Sequence, residues 1–516
     1  GNGTSLGVMA GGGNIYTKVG NGLSASLMLG TTANVFTHVG SGDSLAIMAS
    51  QGGNLFTKVD VNSTAQSSDI TAAAMLGTGN AFTHVGSGTT GALMLAGGNL
   101  FTKVGDGNTA AAMVGVGNIA THVGNGSLIA VMGGVPVGVP SGNVLTKVGN
   151  GTTVGVMAAS GNIFTHVGDG NTTGVALGQG NIITKVGKGD QVNAVLGQGN
   201  VLTHVTLNNA TNTEQATSNN SYNLAIGKAN IVTKVGDGKQ VSALVGDANV
   251  MTHVGDGDAI NLAIGGKANI VTKVGDGNTV TGLLNGQANI ITHVGDGNDY
   301  QGVWGKANIV TKVGDGTSAS AMKGTGNIVT AVGDGAQVGI LVGDGNIVTK
   351  VGDGVSVNLL KGQANINTKV GDGTTVAVMM GTGNANIQVG DGTTAFVAYA
   401  NNNISIKVGD GDYYGLAFAK GKSTVAQNAQ AVGRSLFQSA AGFVGSGVIS
   451  QLIWGAEETG HGETQNQQGD VSEKVVAEPN IAQPSFDFNK FSTMPSFKSN
   501  SGDVQVSEPN PSSNLN

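Results

Sequence analysis

The chain contains no cysteine in 516 residues, only 7 Pro, and just 4% aromatic and 11% charged residues. Without cysteine there are no disulfide staples and no thiolate metal sites. The absence also fits a protein that crosses membranes unfolded. Proline is scarce and glycine does not fall on every third residue, which excludes a collagen-like helix. No run of Lys and Arg occurs and the formal net charge is −7, so nucleic acid is not expected as a partner. The first residues, Gly1-Asn-Gly-Thr-Ser-Leu-Gly7, lack an initiator Met and a signal-peptide pattern. They read as the middle of a repeat, and the sequence is expected to be a piece of a longer chain.

What abounds is glycine, with 90 residues, more than double the average usage of roughly 7%. Glycine loses much conformational freedom on ordering. A chain so rich in it folds best when each short element leans on its neighbour, as repeat proteins do. The repeat is visible in Ala268-Asn-Ile-Val-Thr-Lys-Val-Gly-Asp-Gly277, variants of which recur about twenty times at steps of 19 or 20 residues.

Two segments of each unit alternate with period 2, the strand signal. In the first, Ile270, Thr272 and Val274 share a face that stays uniform from copy to copy. The opposite face carries a variable residue before the Thr and a Lys or His after it. Uniformity on one face predicts that the Ile-Thr-Val face is the core and that the Lys/His face is outward. Gly-Asp-Gly then supplies a tight turn, and a second short strand such as Val376–Met380 follows before another Gly-rich corner.

The Lys/His position alternates: Lys234, His253, Lys273, His293 and Lys312 follow one another, and seven of the eight His residues sit in this column. The true period is therefore about 38 residues. Stacked at about 4.8 Å, adjacent exposed lysines would repel by about 0.9 kcal/mol in water, and an intervening neutral His halves that. Charge spacing is one reading of the column. A pH sensor is the sharper one, because an ordinary His titrates near 6.5. Asp276, Asp296 and Asp315 belong to a second column, read as turn-forming. One Asp per unit falls short of the six to eight oxygens that Ca²⁺ takes. No cofactor, zinc site or catalytic set is expected, Ca²⁺ alone keeping a weak case.

The spacing breaks near residues 60–71, 134–141 and 206–222, which read as surface loops at corners. The repeats end near residue 420. Residues 421–456 include a charge-poor stretch with Leu436, Phe437, Phe443, Val444, Val448, Ile449, Leu452, Ile453 and Trp454. It is read as a short helical segment, either spanning a bilayer or docking at its interface. Residues 457–516 are polar and read as a disordered linker.

The alternating Asn-Ile-x-Thr-Lys-Val-Gly-Asp-Gly and Asn-Ile-x-Thr-His-Val-Gly-Asp-Gly units resemble the glycine-rich repeats on the N-terminal arm of MARTX toxins, the multifunctional-autoprocessing repeats-in-toxin family. The resemblance covers residues 1 to 420. It implies a secreted bacterial protein whose repeat arm acts at the host plasma membrane, forming a pore or conduit for effector domains of the same toxin. The family's catalytic residues lie in other domains, and no position here matches them. Late units depart from the pattern at Ala331, Ile387, Gln388 and Ile406.

Two architectures fit: an all-β, Gly-rich β-solenoid of about twenty coils, near 100 Å long, or an array of β-hairpins closed into a membrane barrel. Forty strands would exceed the largest known barrel, of about 36, so the solenoid is expected. Two functions compete: a membrane-acting toxin arm, and an adhesive rod that binds a cell surface without perforating it. Whether the array oligomerises stays open, and an enzyme is not expected.

Overall fold

The structure is a computed structural model that describes residues 1–61, 69–134, 141–206, 219–399, 402–418, 423–427 and 436–437. Most of the three expected loops lies outside these residues, as do Phe443, Val444, Val448, Ile449, Leu452, Ile453, Trp454 and the expected linker. The chain divides into Gly1–Thr459 and Gly460–Asn516, and every described residue belongs to the first unit.

The described residues form β-strands and turns, with no helix among them. Each 19- or 20-residue unit is one coil. Ala248–Val254 runs along one side, the chain turns, and Ala259–Ile264 returns along the other. The next coil starts with Ala268–Val274, which pairs parallel and in register with Ala248–Val254, so that Thr252 meets Thr272 and His253 meets Lys273. The returning strand pairs likewise with the next returning strand, Ala259 meeting Thr279. Within this coil the two strands belong to different ladders and are not hairpin partners. The arrangement is a parallel β-solenoid with two ladders face to face.

The Gly-Asp-Gly turn explains part of the glycine content. Gly275 and Gly277 have φ of 116° and 125°, in the region that favours glycine. A Cβ on Gly275 would also sit 2.6 Å from the carbonyl oxygen of Gly255 in the coil below. The turns stack backbone on backbone, which leaves no room for a side chain.

The buried face reverses the sequence expectation. In Ala268–Val274 the inward residues are Asn269, Val271 and Lys273, with exposures of 0, 1 and 0%. Thr272 is only partly buried, and Val274 points outward with 39% exposure. The Ile-Thr-Val face is thus the outer surface, and the Lys/His face is interior. Uniformity misled because interior positions are chosen as facing pairs. Gly155 and Gly174 face the bulky Phe164 and Ile183, and a Cβ on Gly174 would come within 2.7 Å of Ile183 Cδ1. The inward apolar position can therefore vary, provided its opposite compensates.

That apolar position builds the core with the methionines and small residues of the return strands, such as Met48, Met75, Met94 and Met113. Its first members, Tyr16, Phe36, Phe56, Phe82 and Phe101, stack with ring centroids 4.6 to 5.2 Å apart. Late coils turn polar inside: Asn358 bonds Asn367, which bonds Asn386.

Leu436 and Phe437 were expected in a helix. Their backbone instead forms a short strand, Leu436–Phe437, antiparallel to Ser423–Gln427. Ser423–Gln427 extends the ladder from Asn403–Val408, and its free edge offers backbone partners. Among the described residues no helix is long and apolar enough to cross a membrane.

Candidate functional site

Three inward columns run the length of the solenoid, and the sequence pattern places each one. The Lys/His column lies beside the Gly-Asp-Gly turns, where its polar ends reach the turn carbonyls. Lys273 Nζ donates to the carbonyls of Gly255 (2.6 Å), Gly275 (2.8 Å) and Asp276 (3.1 Å). Lys234 donates to Gly236 and Asp237, and Lys312 to Gly295 at 2.7 Å. These lysines are at most 1% exposed and are solvated by backbone oxygens instead of water. Burial pushes Lys103, Lys185 and Lys234 down to about 8.

Four of the column histidines bridge the two ladders. His38, His84 and His166 bond the hydroxyls of Ser44, Thr90 and Thr172, six residues on, at 2.6 to 2.7 Å. His293 Nδ1 meets the buried carboxylate of Asp299 at 2.5 Å, and its Nε2 faces the Gly275 carbonyl at 3.2 Å. At His253 the facing residue is Ala259, which offers no hydroxyl. Burial, then the neighbouring Lys273 and Lys234, hold His253 down to about 3. His122 and His166 are lowered to about 4 and His204 to about 3, again by burial first and flanking lysines second. These imidazoles stay neutral far below the ordinary value near 6.5.

The Asp column lies at the outer edge. The backbone N–H of Asp276 donates to Asp256 Oδ1 at 2.9 Å, and Asp296 and Asp315 repeat the bond upon Asp276 and Asp296. Each carboxylate thus caps the turn of the next coil. Among the described residues no group of three or more His, Cys, Asp or Glu side chains is placed to hold a metal ion. The coil that carries the first insertion has Asp60 where most others have glycine. Its carboxylate pairs with Lys58 at 2.5 Å and His84 at 3.0 Å. Burial pushes Asp60 up, but those two hydrogen bonds outweigh it and hold the group below the usual carboxylate range.

A family model for the RtxA repeat matches residues 9–26, 33–46, 75–90, 94–111, 113–127, 142–155, 157–174, 176–193, 225–239, 245–261, 265–281, 286–300, 304–320, 342–358 and 361–377. The chain belongs to the RtxA-repeat family. No curated protein and no solved structure matches it.

In these RtxA repeats, then, Lys234, His253, Lys273, His293 and Lys312 are interior and share one column, while Asp276, Asp296 and Asp315 line a solvent-facing edge. Sequence reasoning gave no role to the third column. Asn269 accepts from Asn249 at 2.8 Å and donates to Asn289 at 2.9 Å. The same bond links every coil from Asn14 to Asn403, the last from Asn384 at 2.8 Å. Asn three residues before the repeat Thr was the available signal. A buried amide that both donates and accepts along one axis is matched by another copy of itself one coil on, and its second N–H goes to a corner carbonyl such as that of Gly265. The repeats carry a structural array, and their imidazoles lie sealed inside it.

Proposed function

We propose that this RtxA-repeat array is the non-catalytic arm of a large secreted bacterial toxin. It acts at the host plasma membrane and builds a conduit that lets effector domains of the same protein into the cytosol. The observation that supports this is the inverted distribution of polarity. Amides, lysines and histidines are inside, whereas both broad outer faces are nearly free of charge and rich in aliphatic residues. On the first-strand face no outward position from Gly13 to Val408 is charged, and on the return-strand face, among the described residues, only Lys323 and Lys361 are charged.

The dimensions suit lipid. A seven-residue strand spans about 23 Å, close to the apolar band of about 25 Å on membrane barrels. Backbone groups bond from coil to coil, as a hydrocarbon environment requires. With strands along the bilayer normal, the Asp edge lies at one headgroup layer and the Gly-rich corners, with Lys228, Lys267 and Lys306, at the other.

Dye release from liposomes tests the reading. Release by the chain, abolished when Lys replaces Ile260, Leu262 and Ile264 on the return-strand face, supports it. Binding without release would favour the adhesive rod, and neither binding nor release would overturn both.

A further inference from the structure

The two broad faces differ in a way that lipid alone does not explain. The return-strand face is rough: Gly302 lies between Tyr300 and Trp304, Gly282 lies between Val280 and Leu284, and Lys323 and Lys361 break its apolar surface. The first-strand face repeats the same outward residues in nearly every coil, Gly or Ala, then Ile, Leu or Val, then Thr, then Val. Most of its outward side chains are β-branched and stiff at χ1, so covering them costs little rotamer entropy.

This face also has relief. Over residues 33–144 an open apolar trough of about 690 Å³ runs beside the aliphatic ridge of Val35, Leu55, Leu100, Ile119 and Val144. Its floor is the Gly/Ala column. The fold does not require glycine there. A Cβ on Gly117 would meet nothing within 4 Å, one on Gly79, Gly98 or Gly142 would meet only an ordinary contact at 3.8 to 4.0 Å, and none of the four has positive φ. Later coils carry Ala229, Ala248 and Ala268 at the same place. Glycine in a strand is unfavourable on its own account and marks close approach from outside.

We propose that the occupant is a second copy of this chain. Two arrays meet face to face through their first-strand ladders, the Ile/Val ridge of each seated in the Gly/Ala trough of the other. Area favours a copy over a smaller partner. Each coil presents about 100 Å² on this face, from a strand length of about 23 Å and a spacing of about 4.8 Å. About twenty coils therefore bury about 4,000 Å² in total, within the obligate-dimer range of 2,000 to about 5,000 Å². The facing columns are uncharged, so pairing buries no ion. The rough return-strand faces stay outside, available to lipid. The pairing stands on surface geometry and does not rest on the membrane reading.

Lipid-free light scattering and cysteine labelling test it. The chain should run at twice the 50.9 kDa of one copy. Because the sequence has no cysteine, single substitutions report cleanly. Thr165→Cys and Thr272→Cys should be protected from a polymer-linked maleimide, while Leu93→Cys and Leu262→Cys label freely. A triple Thr165→Lys, Thr184→Lys, Thr203→Lys variant should fall to a single-copy mass with its strand circular dichroism intact. A single-copy mass for the unaltered chain, or equal labelling of both faces, overturns the pairing. Liposome release, measured separately, is unaffected by either result as a test of membrane action.

Discussion

Acid should loosen the array long before the imidazoles of His122, His166, His204 and His253 are charged in the folded state. His122 and His166 titrate at about 4, and His204 and His253 at about 3, whereas the unfolded chain binds these protons near 6.5. A lowered folded value contributes stability that is complete above 6.5 and is lost as pH falls through the folded values. Between pH 7.5 and pH 5 each of the four gives up about 2 kcal/mol, and together about 8 kcal/mol. The loss is gradual and cumulative, unlike a switch at pH 6.5.

Urea unfolding followed by far-ultraviolet circular dichroism at the two pH values measures it. The midpoint should drop sharply at pH 5. Replacing all four histidines by Gln, which the protein itself uses at Gln388 with a bond from Thr394, should remove most of the drop. Equal midpoints for the unaltered chain at pH 5 and 7.5 would refute the argument, as would an undiminished drop in the quadruple variant.

Three further expectations concern the packing. Asn269→Ala strands the side-chain carbonyl of Asn289 inside the core and leaves Asn249 Nδ2 with the Gly246 carbonyl alone, and should cost about 1 to 3 kcal/mol in urea unfolding. Gly275→Ala places a Cβ 2.6 Å from a backbone oxygen at a φ of 116°. It should cost more than about 2 kcal/mol and open a protease-sensitive turn there, and resistance equal to the parent's would count against it. Gly174→Ala should cost about 1 to 3 kcal/mol by overpacking Ile183. Ile183→Val, made in the same chain, should return part of that cost, and strict additivity in the double-mutant cycle would deny the contact.

Much of the fold was legible because it is carried by spacing. Thr252 and Thr272 are one period apart, and they are direct ladder partners. Gly275-Asp-Gly277 announced the turn, and its glycines have the expected positive φ. The orientation of the strands was not legible from the same pattern. A column of lysines looks like a solvent column until the turn carbonyls that receive Lys273 are known, and those carbonyls come from other coils or from a bent backbone. Likewise the variation from Phe82 through Ala120 to Leu145 suggested an outer face, because the methionines and glycines that compensate it lie in the return strands, about nine residues away. The Asn column was in plain view, but its partner is the same residue one coil on, a relation that no local pattern states.

The stacking of coil upon coil also sets how the array yields to force. Pulled from its two ends, a solenoid carries tension through every inter-coil boundary in series, so extension begins at the weakest boundary and proceeds one coil at a time. Each detached coil of 19 or 20 residues releases about 60 Å of contour length. The force trace is therefore a regular sawtooth, finer than the single large step of a globular domain. Because a detached coil leaves a complete template behind it, slackening the chain lets the coils wind back in order.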